Sequence, residues 1–171
     1  IETEKINPIL LTGRLIEAPN WHPDGTIILN CEGCLFRVNP ADPKLIPIPI
    51  EGLKDLNNDH GITPDGRSLI VSDSPDTGSS IIYTVPYSGG RPSQVTDASP
   101  SWWHGISPDG KTLAYTARRN GVFDIYSCPF EGGVEKRLTD DFDHTDGPDY
   151  TADGKWIWFN GSKSGSMDLW R

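Results

Sequence analysis

One short turn recurs four times along this chain and limits the folds that it can adopt. The copies cover residues 20–25, 61–66, 105–110 and 149–154, and each ends in Asp-Gly, three of them in Pro-Asp-Gly. Their last glycines, Gly25, Gly66, Gly110 and Gly154, stand 41, 44 and 44 residues apart. A period of this length is typical of propeller blades and of helical arrays.

The residues around each turn distinguish these two architectures. Proline presets the backbone for a turn, aspartate bonds to its own chain and glycine accepts a positive φ, so Pro-Asp-Gly predicts a hairpin. Residues rich in β-branched and aromatic side chains follow each turn, at 26–30, 67–72, 111–116 and 155–160. No stretch has helical periodicity, which excludes helical repeats.

Two further strands are predicted in each unit. The third strands lie at 34–38, 80–85, 123–127 and 167–171, and Gly-Gly turns at 89–90 and 132–133 lead to fourth strands. One small sheet cannot bury both of its faces alone, so such sheets pack around a common axis. The sequence therefore predicts an all-β fold: a β-propeller of four-stranded antiparallel blades, four of them in this chain.

A single domain is expected over residues 1–171, with units at about 13–52, 53–97, 98–139 and 140–171. The last unit ends after its third strand, whereas residues 6–12 read as an unpaired fourth strand. Pairing the two would complete the last blade, close a four-bladed ring and remove an exposed edge. The alternative is a segment of a larger ring, in which the same ends pair between chains. A monomer is expected if the ring closes, and a homodimer otherwise.

Charge and cysteine content exclude several functions. The net charge of -9 disfavours binding to nucleic acid, because phosphate backbones repel an acidic protein. No apolar run approaches the ~18 residues of a membrane helix, so no membrane insertion is expected. Cys31 and Cys34 enclose Glu-Gly between two strand-like runs rather than at a helix start. This pair is interpreted as a hairpin turn and not as a redox motif.

With the units laid out, the sequence resembles the TolB-type propeller family. Its units carry a Trp-Ser-Pro-Asp-Gly-Lys-like turn, an Ile-Tyr third strand and a Gly-Gly turn leading to Arg-Leu-Thr, which residues 107–139 match nearly throughout. Propeller domains of prolyl oligopeptidase-type peptidases are similar. The resemblance implies a bacterial, periplasmic protein that acts through protein partners, with six blades as the usual number. The first turn departs from the pattern at His22 and the fourth at Ala152.

Candidate ligand-binding residues stand four to six positions before the turn proline, where innermost strands start at the mouth of the channel. Mouths of ring-shaped folds are common ligand sites. Two arginines in the hairpin of the third unit are expected to face the same side. The candidates are Glu17, Asn58, Asp59, His60, Trp102, Trp103, His104, Asp146, Arg118 and Arg119.

Each candidate also has a structural interpretation. His60 and His104 could be hydrogen-bonded channel histidines, a metal-ligand pair or ligand contacts. Trp102 and Trp103 could stack on a ligand, or one could belong to the core between blades. The acidic run 139–146 is interpreted as a solvated loop, because its spacing does not fit a calcium-binding EF-hand. Arg118 and Arg119 could also be ordinary solvent-exposed residues, as most surface arginines are.

No motif assembles a nucleophile, a base and an orienting group. The expected function is therefore a non-catalytic scaffold that binds a protein, a peptide or a small polar ligand at the channel mouth, without cofactor or metal. The alternative is a hydrolase or lyase that uses His60 and His104 with Asp59 or Glu17, with or without a metal.

Overall fold

Each Asp-Gly turn joins two antiparallel strands, as the sequence predicts. The computed structural model describes residues 7–163 and 165–171, which form strands and no helix, and so none long and apolar enough to cross a membrane. The strands are β1 (Glu17–Trp21), β2 (Ile27–Cys31), β3 (Cys34–Asn39), β4 (Asp42–Pro47), β5 (Leu56–Ile62), β6 (Ser68–Asp73), β7 (Ile81–Pro86), β8 (Ser93–Gln94), β9 (Ser101–Ile106), β10 (Thr112–Arg119), β11 (Val122–Pro129), β12 (Lys136–Arg137), β13 (His144–Tyr150), β14 (Ile157–Ser162) and β15 (Met167–Trp170).

These strands form four antiparallel sheets, each a meander of neighbours in sequence. The sheets β1–β4, β5–β8 and β9–β12 have four strands, and the sheet β13–β15 has three in the described part of the chain. We call them blades one to four. Each blade lies within one of the predicted units, and β5 packs on β1 and β2, β9 on β5 to β7, and β13 on β9 to β11. The all-β propeller architecture is confirmed.

Side chains of the turn hold its geometry. In blade three the Ser107 hydroxyl donates to Asp109 Oδ1 at 2.6 Å, and the same oxygen accepts the N–H of Lys111 at 3.1 Å. Gly110 follows with a φ of 73°, which a residue with a side chain rarely adopts. Threonine takes the place of Ser107 in blades two and four.

The first turn uses its unusual histidine to join two blades. His22 accepts the backbone N–H of Asp24 at Nδ1 and donates from Nε2 to the Gly66 carbonyl of blade two at 2.7 Å. The ring stacks on Tyr87 with centroids 3.8 Å apart, and the Tyr87 hydroxyl donates to Asp24 Oδ2. The departure from the repeat pattern therefore supplies contacts between blades that serine would not make.

Apolar side chains fill the spaces between blades. Ile28 and Leu35 of blade one pack with Leu69 and Val71 of blade two. The equivalent cluster between blades two and three contains Ile70, Ile82, Leu113, Tyr115 and Trp103. The core of the protein is thus a series of layers between sheets, which is why one blade alone would not be stable.

A polar side chain at one repeated position adds hydrogen bonds between blades. In each blade this position lies in the second strand, three residues after the residue that pairs closest to the Asp-Gly turn. Its occupants in blades one to four are Asn30, Ser72, Thr116 and Asn160. The first three bond to the inner strand of the next blade, but Asn160 is exposed. The partners are the carbonyls of Leu56 and Asn57, the N–H of Trp103 and the Asp146 carboxylate, respectively.

The segment 6–12 does not behave as predicted where it is described. Residues 7–12 form no strand, and Ile6 lies outside the described residues. Leu10 packs instead against the apolar cluster of blade one that contains Leu29 and Phe36. The described residues therefore provide no fourth strand for blade four, and Leu169 of β15 is 67% exposed.

The Cys-Glu-Gly-Cys stretch is a two-residue hairpin turn, as predicted. Cys31 and Cys34 pair across β2 and β3, while Glu32 and Gly33 have φ values of 53° and 77°. Positive φ at both central residues matches the twist of the flanking strands. Both thiols are free, and Cys31 is buried.

Candidate functional site

The innermost strand of every blade contains an irregularity in its pairing. Register shifts occur between Glu17 and Asn20, between Leu56 and His60, at His104, and between Asp146 and Asp149. Such bulges change the direction of side chains and are frequent beside binding sites. They fall within the stretch in which the sequence analysis placed the candidate residues.

Three neighbouring blades together line a cavity of about 220 Å³ on the inner side of the sheets. Blade two contributes one carboxylate, and blades three and four contribute aromatic, imidazole, hydroxyl and carboxylate groups. We call this the inner cavity. Its lining residues are Asp59, Trp102, His104, Thr116, Phe123, His144 and Asp146.

Asp146 is held firmly at one side of the inner cavity. His104 Nε2 lies 3.3 Å from Asp146 Oδ1, and the Thr116 hydroxyl and the Gly147 N–H each donate to that oxygen at 2.9 Å. The hydrogen bond and charge of His104, with the other two donors, lower the pKa of Asp146 to about 2 against the effect of burial. This carboxylate is ionised at neutral pH and fixed in position.

Asp59 presents the second carboxylate of the inner cavity. Its backbone N–H donates to Asn57 Oδ1, but its side chain accepts no hydrogen bond from the described residues. Burial raises the pKa of Asp59, His104 opposes that rise and Asp146 adds to it. The carboxylate of Asp59 thus accepts no hydrogen bond from the described residues, whereas Oδ1 of Asp146 already has three partners.

Aromatic rings form another part of the lining, which we call the aromatic wall. The Phe123 ring lies 5.7 Å from Trp102 and 4.7 Å from His144, measured between centroids. The guanidinium carbon of Arg118, an exposed residue, lies 5.7 Å from the Phe123 centroid. The wall therefore offers aromatic faces that already attract a cation from the protein itself.

Two candidates are part of the core instead. His60 is 4% exposed, and burial lowers its pKa to about 4. The carbonyls of Ile28 and Asn58 lie near its ring, but no described group completes a hydrogen bond of ordinary geometry with it. Trp103 is 7% exposed within the cluster between blades two and three, so it is the member of the tryptophan pair that belongs to the core.

The remaining candidates also lie apart from the inner cavity. Arg119 binds both carboxylate oxygens of Glu135 and donates to the Pro100 carbonyl and the Ser101 hydroxyl, so its donors are engaged within blade three. Glu17 and Asn58 are exposed on β1 and β5 and do not line the cavity. The candidates that the structure brings together are Asp59, Trp102, His104 and Asp146, with Arg118 beside Phe123.

Three residues of the inner cavity were missing from the sequence analysis. His144 stands two residues before Asp146 on β13, and alternate residues of a strand share a face. Thr116 pairs directly with Trp102. The interpretation of run 139–146 as a solvated loop is wrong for 144–146, because these residues begin β13 and Thr145 is buried. Nothing in the sequence indicated that Phe123 would line the cavity; it pairs with Arg118 across the hairpin.

Among the residues that the structure describes, no three His, Cys, Asp or Glu side chains gather in an arrangement that could hold a metal ion. His104 lines the inner cavity and His60 does not. The lining residues offer hydrogen bonding, charge and aromatic stacking.

The low pKa of Asp146 predicts a dependence of stability on pH. A carboxylate whose pKa falls from about 3.9 unfolded to about 2 folded stabilises the protein above about pH 4, and this contribution is lost as the pH falls through 2. Because half of the side chain is exposed, we expect about 1 kcal/mol. Urea unfolding of Asp146→Asn between about pH 6 and pH 2 should give a shallower pH profile than wild type. Thr116→Val should be intermediate, and identical profiles for all three proteins would contradict the assignment.

Known proteins and solved structures are similar to this chain. No protein-family model matches the chain. An uncharacterized protein of Agrobacterium fabrum is 47% identical over 173 residues, which cover all of this chain and 59% of that protein. The chain thus spans about three fifths of the length of this relative.

Two solved structures are also similar to this chain. One assigned to TolB of Agrobacterium tumefaciens has a TM-score of 0.91 and 48% identity, over 95% of this chain and 60% of that one. TolB of Acinetobacter baumannii has a TM-score of 0.79 and 26% identity, over 97% of this chain and 43% of that one. These likenesses extend across all four blades. The chain is a TolB-like β-propeller.

Proposed function

We propose that this propeller is a non-catalytic binding scaffold whose inner cavity holds part of a protein or peptide partner. One observation carries the proposal: blades two, three and four converge on a cavity with a free carboxylate, an anchored carboxylate and an aromatic wall. Packing alone does not require these groups to meet, and a few polar groups in a concave site are the usual means of recognition. A small polar ligand would use the same groups.

The enzymatic alternative is not favoured. A hydrolase or lyase using His60 and His104 would need both imidazoles at the site, but His60 is buried and does not line the inner cavity. Glu17 is likewise outside it. The lining contains no serine, cysteine or lysine, and the hydroxyl of Thr116 is already engaged as a donor to Asp146 Oδ1.

The partner of this protein, its compartment and its association state are still predictions. A bacterial, periplasmic protein with protein partners is what the TolB resemblance implies. The monomer, expected if the ring closes, and the homodimer, expected otherwise, are both still predictions.

A selection experiment tests the binding function. Peptides selected from a random displayed library on the wild-type protein are expected to bind Trp102→Ala at least about tenfold more weakly, because aromatic anchors dominate such interfaces. Trp158→Ala is the matched control, since Trp158 is partly exposed on blade four and does not line the inner cavity. Affinities are measured by calorimetry, with melting curves to verify folding.

Two outcomes would contradict this function. One is a failure to enrich any peptide, or peptides that bind both tryptophan variants equally well. The other is turnover of an ester or peptide substrate that disappears in His104→Ala, which would support the enzymatic alternative instead.

A further inference from the structure

The two carboxylates of the inner cavity differ in their partners, and this difference favours one class of ligand over another. Asp146 has His104 as its partner at 3.3 Å, with further donors from Thr116 and Gly147. Asp59 faces the same space without a hydrogen-bond donor from the described residues. An entering anion would meet two carboxylates, whereas an entering cation would give Asp59 the partner that it lacks.

The aromatic wall favours the same kind of ligand. Trp102 and Phe123 both line the inner cavity and stack on each other, and the ring quadrupole of such groups attracts cations. The protein itself provides an example, because the guanidinium of Arg118 is placed over the Phe123 ring. A guanidinium or ammonium arriving from outside would meet both the Trp102 ring and the Asp59 carboxylate in one lining.

An organic cation fits better than a metal ion. No three potential ligands among the described residues are arranged for a metal, and aromatic rings offer nothing to a small inorganic ion that needs several oxygen or nitrogen ligands. A volume of about 220 Å³ has room for the end of an arginine or lysine side chain but not for a large rigid ligand. The overall charge of -9 would also attract a basic partner at long range.

We propose that the inner cavity binds the cationic side chain, an arginine guanidinium or a lysine ammonium, of a peptide partner. Asp59 forms the ion pair, and Trp102, which is itself stacked on Phe123, contacts the cation. The His104–Asp146 pair belongs to the same lining. This proposal rests on the binding function above and specifies the chemistry of its ligand.

The test compares cationic side chains with neutral counterparts. The probes are N-acetyl-arginine amide and its neutral isostere N-acetyl-citrulline amide, with N-acetyl-lysine amide and its Nε-acetylated form as a second pair. Binding is followed by NMR titration at low and at physiological ionic strength. Each charged probe is expected to bind at least about tenfold more tightly than its neutral partner at low ionic strength.

Matched variants connect this preference to the inner cavity. Asp59→Asn keeps the shape and removes the charge, so it should abolish the preference, whereas Asp42→Asn on the exposed outer strand of blade one should leave it unchanged. Phe123→Leu should weaken binding of the charged probes and provides a second reading if Asp59→Asn folds poorly.

The possible failures are distinguishable. Equal binding of charged and neutral probes, or a preference that persists in Asp59→Asn, would overturn the cation proposal. Selected peptides whose binding depends on Trp102 would still support the binding function in that case. If no probe binds and no peptide is selected, both proposals fail.

Discussion

Replacing Gly61 with alanine is expected to lower the free energy of unfolding by about 3 kcal/mol. A Cβ atom at this position would collide with the six-membered ring of Trp103, on the inner strand of the next blade. The indole cannot retreat, because it is packed among Ile82, Leu113 and Tyr115 in the layer between blades two and three. Gly61 does not have a positive φ, so the cost comes from packing and not from backbone strain.

Urea unfolding measures this effect, and Gly13→Ala is its control. No atom lies within 4 Å of a Cβ built on Gly13, so that variant should change the unfolding free energy by less than about 0.5 kcal/mol. Trp103→Leu alone should destabilise by about 3 kcal/mol through loss of buried area. Combined with Gly61→Ala it should cost clearly less than the sum, since the new methyl group then occupies vacated space. Additive effects of the two substitutions would show that they do not share this contact.

The repeat made most of the fold predictable. Pro-Asp-Gly determines the hairpin locally, and the β-branched and aromatic runs on either side of it can be buried only by a neighbouring sheet, so turn, strand and layer follow from short-range patterns. The Cys31–Cys34 hairpin was predictable for the same reason, because Glu-Gly between two strands leaves few other turns. The sequence also shows that the first turn has His22 where the third has Ser107. The stacking of His22 on Tyr87 of blade two was not predictable, because it depends on tertiary contacts.

The site was less predictable because the bulges differ from blade to blade. His60 and His104 occupy the same position relative to the turn, yet the irregular pairing covers residues 57–59 in blade two and His104 itself in blade three. His60 pairs with Val71 and points into the core, whereas His104 is displaced from the ladder and lines the inner cavity. A count back from the turn cannot reveal where a strand bulges, so it selected the segment that contains the bulges and mixed the residues of its two faces.

Segment 6–12 illustrates a second limit. The alternation of Ile9 and Leu11 has the period of a strand, but a pattern does not state which surface the strand will find. Leu10 is the residue that packs on blade one, while Leu11 is exposed. Tertiary burial thus outweighed a weak local preference, as it commonly does for β-sheet propensity.

A second large effect is expected at Asn30, one of the buried residues at the repeated polar position. This side chain is 2% exposed and donates from Nδ2 to the carbonyls of Leu56 and Asn57, at 2.7 and 2.8 Å. Asn30→Leu preserves the approximate volume but leaves both carbonyls without that donor at the buried junction of blades one and two. Each lost partner costs about 1–3 kcal/mol, so the unfolding free energy should fall by about 2–4 kcal/mol.

Asn160→Leu is the internal control for this prediction, because Asn160 holds the same position in blade four and is exposed there. It should change the unfolding free energy by less than about 0.5 kcal/mol. Equal losses for the two variants would mean that asparagine is needed for the strand itself and not for the junction between blades. A large loss at position 30 alone would show that the repeated polar position acts by joining one blade to the next, and that blade four in this chain does not use it.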